Sequence, residues 1–236
     1  MKQFMLAIAA VSIGLLFTSC KKEIDGSGKF VSQTRTVSNF DEVSSSGDFT
    51  VILVEDSVSR IEMNGEDNIL PEIETVVTGN ELSIYFDKFQ YCYDHAGVTI
   101  TIYNPSFKGI HQSGSGKISS YDTLETSTLD VNLSGSGKMD LIVSSAFLTS
   151  GISGSGSIYL HGESLNAAHT ISGSGKLNAY NMISTDASAT ISGSGECRVN
   201  ATNKLNVTIS GSGNVYYIGN PQITTNISGS GHVRPE

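Results

Sequence analysis

Residue types that could do chemistry are present in this 236-residue chain, but their spacing does not assemble working sets. Polysaccharide cleavage on a β-rich scaffold needs carboxylates paired with each other, with a basic residue or with bound calcium along one groove. The acidic residues are concentrated before residue 95, and the later part carries few, among them Asp140, Glu163, Asp186 and Glu196. His95, His111, His161, His169 and His232 show no ligand spacing, and the three cysteines form no CxxC pair. The recurrent Ser-Gly-Ser-Gly tetrapeptide is not a phosphate loop, because no Lys-Ser/Thr follows it in a strand-to-helix setting. The residues therefore predict no catalytic set, no metal and no cofactor, and a carbohydrate-active enzyme is the weaker alternative.

What the chain does have is repetition. Ser-Gly-Ser-Gly begins at Ser113, Ser134, Ser153, Ser172, Ser192, Ser210 and Ser228, at spacings of 21, 19, 19, 20, 18 and 18 residues. Self-similarity at such a period is the signature of a solenoid. The residue before the tetrapeptide is Leu or Ile in all copies but the first, and apolar residues recur at even offsets after it, which is strand periodicity. With Ile152 inward, Gly154, Gly156, Ile158 and Leu160 also point inward, and Ser153, Ser155, Ser157 and Tyr159 point outward. Leu124, Phe147 or Leu148, Leu165, Ile183, Leu205 and Ile223 mark a second apolar side of each turn. The expected fold is an all-β parallel solenoid of about 18–21 residues per coil, stacked so that neighbours bury each other's apolar sides.

Two readings of the paired glycines stand open. Either the chain bends there and Gly supplies a positive φ, or the strand stays extended and something approaches closely. The outward serines would form a flat, weakly charged ladder. Ser134, Ser136, Ser153, Ser155, Ser172, Ser174, Ser192, Ser194, Ser210 and Ser212 are thus the candidate interaction face, against the alternative of a corner motif. At its rung Glu196 follows Lys176 and precedes Asn214, a solvated pattern rather than a carboxylate cluster.

Residues 1–19 read as an export signal. Met1-Lys2 is a short basic start, and Phe4 to Phe17 is apolar but too short for an ordinary membrane span. Leu16-Phe17-Thr18-Ser19-Cys20 resembles a bacterial lipobox, which implies cleavage before Cys20, its acylation (palmitate among the acyl groups) and attachment to a membrane by lipid. Residues 20–29 are expected to be a lipid-anchored tether, and 30–236 a single domain, with irregular first coils over 30–107 and regular coils over 108–236. Removing 1–19 leaves 13 basic against 23 acidic side chains, which argues against nucleic acid and against electrostatic docking to anionic lipid. Cys197 takes the place of an aliphatic residue in other repeats and reads as buried; a Cys92–Cys197 bridge is the alternative.

Residues 30–107 are β-rich without the tetrapeptide. Ser45-Ser46-Gly47 is a worn copy of it, so the solenoid is expected to begin near residue 40, giving about ten coils in all. The first coils would also cap the open end.

The chain resembles the head GIN domain family, described as putative auto-transporter adhesins. The resemblance rests on Phe40-Asp41-Glu42-Val43, Ser46-Gly47-Asp48-Phe49-Thr50-Val51, Asn68-Ile69-Leu70-Pro71-Glu72, Gly79-Asn80-Glu81-Leu82-Ser83-Ile84 and Val98 to Phe107, followed by the first Ser-Gly-Ser-Gly. It covers about residues 40–236. It implies a right-handed single-stranded parallel β-helix of pectin-lyase-like shape, and a non-catalytic adhesion or scaffold role with no catalytic residues to transfer. The expected location is the cell envelope, as an outer-membrane lipoprotein facing the periplasm or the exterior. Expected partners are the membrane through Cys20, a second copy of the chain, and a glycan or surface protein.

Overall fold

The structure, a computed structural model, describes residues 22–87 and 91–236. Strand makes up 76% of the chain, in a β-solenoid of about seven turns with ~19 residues per coil. Cys20 and residues 1–19, the expected export signal, lie outside the described residues.

The amino-terminal part contains β1 (Lys22–Asp25), β2 (Phe30–Thr36), β3 (Glu42–Gly47), β4 (Thr50–Glu55), β5 (Arg60–Glu66), β6 (Ile73–Thr78), β7 (Glu81–Phe86), β8 (Tyr91–Asp94) and β9 (Thr99–Asn104). A single 3-10 turn, Leu70–Glu72, precedes β6. The coils follow as β10 (Gly109–Gly114), β11 (Lys117–Gly135), β12 (Lys138–Gly154), β13 (Ser157–Gly173), β14 (Lys176–Gly193), β15 (Glu196–Gly211), β16 (Asn214–Ile218), β17 (Gln222–Gly229) and β18 (His232–Pro235). From β10 onward neighbouring coils pair in parallel. Their register places Ser113, Ser134, Ser153, Ser172, Ser192, Ser210 and Ser228 in one column. The alternation that builds each strand also builds the core: Leu133, Ile152, Ile171, Ile191 and Ile209 stack in another column, each at most 2% exposed.

The worn copy is a true first rung. β3 pairs with β10, with Ser46 opposite Ser113 and Gly47 opposite Gly114. β4 lies beside β11, and β9 beside β4, all parallel. Beyond these strands the pairing reverses: β5 is antiparallel to β9 and to β2, and β6 is antiparallel to β7. The chain thus spends Phe30–Thr36, Arg60–Glu66 and Ile73–Thr78 on antiparallel pairing, with β2 and β6 as the edges, one reason for about seven turns rather than ten. These edges cover the amino-terminal end of the stack. Arg35 crosses between them, donating from its guanidinium to the carbonyls of Leu70 (3.0 Å) and Ile73 (2.6 Å).

Residues 22–29 are seated on the body, not extended as a free tether. β1 pairs with β8 in a separate two-stranded parallel sheet. The buried Glu66 carboxylate accepts from the backbone N–H of Gly28 at 2.7 Å and of Ala96 at 3.1 Å. Ser27 N–H donates to Asn68 Oδ1 and Lys29 pairs with Asp67. These contacts satisfy the backbone that a tether would leave to water.

One core column is polar in the middle. Val131, Ser150, His169, Ala189 and Val207 are successive neighbours across β11 to β15. Ser150 Oγ lies 2.7 Å from His169 Nδ1, and the small Ser150 and Ala189 on either side accommodate the imidazole.

Candidate functional site

The tetrapeptide resolves into two glycines with different tasks. The first, at Gly135, Gly154, Gly173, Gly193 and Gly211, has φ between 114° and 127°. The strand ends at this residue, and the chain turns through the second Ser-Gly pair before the next strand begins. Its carbonyl reaches the next coil: Gly135 O accepts from the N–H groups of Ser155 and Gly156, both at 3.0 Å. A Cβ on Gly154 would lie 2.6 Å from Gly135 O, so both the conformation and the stacking exclude side chains. The second glycine is buried. A Cβ on Gly156 would lie 2.6 Å from Leu133 Cδ2, and one on Gly175 2.5 Å from Ile152 Cγ2. The bend and the close approach are therefore both realised, one at each glycine. The expectation that the first glycine points inward is corrected: Gly154, Gly173, Gly193 and Gly211 are half-buried and Gly135 is exposed, because the bend turns them out of the core.

The expected flat ladder is accordingly a corner. Ser134, Ser136, Ser153, Ser155, Ser172, Ser174, Ser192, Ser194, Ser210 and Ser212 are all exposed along it. Among the described residues none of these ten hydroxyls has a hydrogen-bond partner within the protein. The backbone ladder closes the corner without them, so the side chains are left facing solvent.

The second apolar side needs a correction as well. Leu124, Leu148 and Leu205 are buried, but Leu165, Ile183 and Ile223 are 58%, 55% and 39% exposed. Ser164 and Ser184 occupy the adjacent inward positions, and Ala167 and Ala187 continue the column of Leu148 and Leu205. Together with Ala146, Leu165 and Ile183 border a shallow depression of about 270 Å³.

Three clusters carry reactive groups. Ser150 and His169 have the separation of a nucleophile and its base, but both are at most 2% exposed and no substrate reaches them. Burial holds the His169 pKa at about 4, so the ring is neutral. Cys197 is a free thiol, which leaves the Cys92–Cys197 bridge unformed, and burial foremost pushes its pKa to about 12, where it is inert. Glu42, Glu81 and His111 come from three adjacent strands, and their ligand atoms lie within 4.8 Å of one another. Residues so far apart in sequence meet only through the register, which no linear spacing reveals. His111 Nε2 faces the space left by Gly109, beside Glu42. Its Nδ1 lies 3.4 Å from Asn132 Nδ2, an N–H donor that also donates to Asp130 at 2.7 Å.

A family model described as putative auto-transporter adhesin, head GIN domain, matches residues 39–221. The crystal structure of a putative adhesin from Bacteroides fragilis is similar, with TM-score 0.86 and 25% identity over 90% of this chain and 100% of that one. A putative lipid binding protein and a putative adhesin, from Parabacteroides distasonis and Parabacteroides merdae, share the fold at TM-scores of 0.77 and 0.69. Their identities are 24% and 22%, each over 91% of this chain and 99% of that chain. No curated protein matches the chain. The matched span covers the first rung and nearly all the coils, and the chain belongs to the head GIN domain family of putative auto-transporter adhesins.

Proposed function

We propose that this protein is a non-catalytic binding module of the cell envelope, anchored to the outer membrane by acylated Cys20, that engages partners through the serine corner. The observation that carries the reading is the set of ten exposed, unpartnered hydroxyls held in register by a backbone that does not use them. Surface hydroxyls without internal partners are free to bond an incoming chain, whether a second copy of this protein, a surface protein or a glycan. The adhesin family supports the binding role. Replacing Ser155 and Ser174 by Arg places bulk and charge on the corner while leaving the buried core as it is. The expected result is loss of oligomer in sedimentation and loss of adhesion to cell surfaces. Retention of both by a folded variant removes the corner from consideration. The anchor is tested separately: Cys20→Ala should abolish acyl labelling and release the protein from membranes, and protease shaving of intact cells reports the side it faces.

A second reading, polysaccharide binding, is favoured by a specific feature. Tyr159 and Tyr216 are partly exposed on the sheet face that follows the corner, each beside a cationic side chain. Such a face offers apolar ring surface and charge together.

A further inference from the structure

The basic residues of the coils are not scattered. Six occur beyond Lys108, and five of them, Lys117, Lys138, Lys176, Arg198 and Arg234, lie on the sheet face that follows the serine corner. Register places them in two neighbouring columns. One runs Lys117, Lys138, Ser157, Lys176, Glu196, Asn214, His232, and the other Ser119, Asp140, Tyr159, Asn178, Arg198, Tyr216, Arg234. Asp140 and Glu196 are the carboxylates in these columns, and both are occupied. Asp140 lies 3.6 Å from Lys138 and 3.2 Å from His161, and Glu196 lies 2.8 Å from Arg198. Lys117, Lys176 and Arg234 have no ion-pair partner among the described residues. Lys117 and Lys138 stack directly opposite one another, a like-charge pairing that costs stability. In a chain of net charge −9 this is a local reversal of sign.

The aromatic rings sit inside the same strip. Lys138 Nζ lies 4.4 Å from the Tyr159 ring centroid, and Arg198 lies 5.6 and 5.5 Å from those of Tyr180 and Tyr216. Six rung steps separate Lys117 from Arg234, a strip about 29 Å long at the strand spacing.

We propose that this strip binds a linear acidic polysaccharide lying along the solenoid axis. Its carboxylates would meet Lys117, Lys138, Lys176 and Arg234, its ring faces would cover Tyr159 and Tyr216, and its hydroxyls would reach Asn178 and the serine corner. The inference deepens the polysaccharide reading above and rests on it. A flat, ungrooved strip with few cations on an acidic protein does not favour nucleic acid, whose binding grows with the number of phosphates neutralised.

The test is calorimetric titration of the full chain with oligogalacturonates, their neutral methyl esters, single-stranded DNA and anionic vesicles. The acidic sugars are expected to bind, and to bind more weakly as salt is raised. The triple variant Lys117→Gln, Lys138→Gln, Lys176→Gln should bind about tenfold more weakly, the sum of three exposed ion pairs. Tyr216→Ala should weaken binding several-fold while leaving the circular dichroism spectrum and thermal midpoint in place. Equal binding of the methyl esters, undiminished binding by the triple variant, or equal binding of DNA or vesicles overturns the proposal. If the triple variant keeps cell adhesion and Ser155→Arg with Ser174→Arg loses it, the basic strip is wrong and the serine corner stands.

Discussion

The coils and the amino-terminal cap are built from the same strands but fastened differently. Between β10 and β15 each rung repeats the last, and the corner is closed by backbone alone, with the carbonyl of one glycine meeting N–H groups of the next coil. Side chains at the corner are free because nothing structural is asked of them. In the cap, beyond the first rung at β3, the coil pattern gives way to antiparallel pairing. There single side chains bridge backbone segments: Arg35 to the 3-10 turn and β6, Glu66 to residues 28 and 96, and Asn104, which donates to the Phe40 and Ser106 carbonyls and accepts from Ser59. A repeating backbone solution spares side chains for binding, whereas an end that must stop the sheet consumes them. The coils should therefore be broken most easily at a glycine, and the cap at a polar residue.

The largest effect is expected at the first glycine of the motif. Gly173 has φ of 119°, and its Cβ would lie 2.6 Å from the Gly154 carbonyl oxygen. Gly173→Val combines a disfavoured backbone with a clash against backbone that cannot rotate away, and should cost ~4 kcal/mol in denaturant unfolding. Gly175→Ala meets a side-chain methyl instead, Ile152 Cγ2, without a positive φ, and should cost about half as much. Equal losses would show that the bend and the close packing are not separate tasks.

Next is the polar break in the core. His169 has a pKa of about 4 in the folded protein against 6.5 for the free side chain. Between those values the unfolded chain binds the extra proton and the folded one does not. Stability is therefore full above about pH 6.5 and declines as the pH falls toward 4, by ~3 kcal/mol at most. His169→Leu should remove that component of the pH dependence measured by denaturant titration, whatever it does to stability at neutral pH.

Glu66 is the cap's counterpart. Glu66→Ala withdraws a charged acceptor from two backbone N–H groups and should cost ~2 kcal/mol. Hydrogen exchange should accelerate first in β1 and at residues 26–29. Uniform acceleration across the coils would mean that the cap and the stack do not open separately.

These differences also mark what could be read before the structure. The coil register follows from the position of Ser-Gly-Ser-Gly and from period-two alternation, because a one-residue slip would turn the Ile152 column to solvent. Alternation does not say which way a neighbouring strand runs. Glu81–Phe86 could be recognised as a strand from its residues, with Gly79-Asn80 as its turn, but not its antiparallel partner. Leu165 and Ile183 misled for a different reason: the inward positions beside them hold Ser164 and Ser184. Ser164 Oγ donates to the Asn166 carbonyl at 3.0 Å and lies 3.3 Å from Ser145 Oγ. An apolarity pattern cannot register an interior lined by satisfied hydroxyls. For the candidate site, the serines were identifiable and their exposure follows from the alternation. Whether they lay on a flat face or at a bend depended on a glycine φ that composition does not encode.

The smallest effect bears most directly on the contrast between the two regions. If the corner is closed by backbone alone, Ser155→Ala with Ser174→Ala should leave stability within about 0.5 kcal/mol of the parent, since no internal hydrogen bond is removed. The midpoint of thermal unfolding should then shift by no more than ~2 °C. The same double variant tests binding from the other side. Alanine keeps the corner small and uncharged but removes the hydroxyls, so weaker adhesion at unchanged stability assigns recognition to the hydroxyls themselves. Unchanged adhesion, with loss only on substitution by Arg, assigns it to the shape of the corner. A marked fall in stability would place the serines among the fastenings of the stack, and the division between a backbone that builds and side chains that bind would not hold.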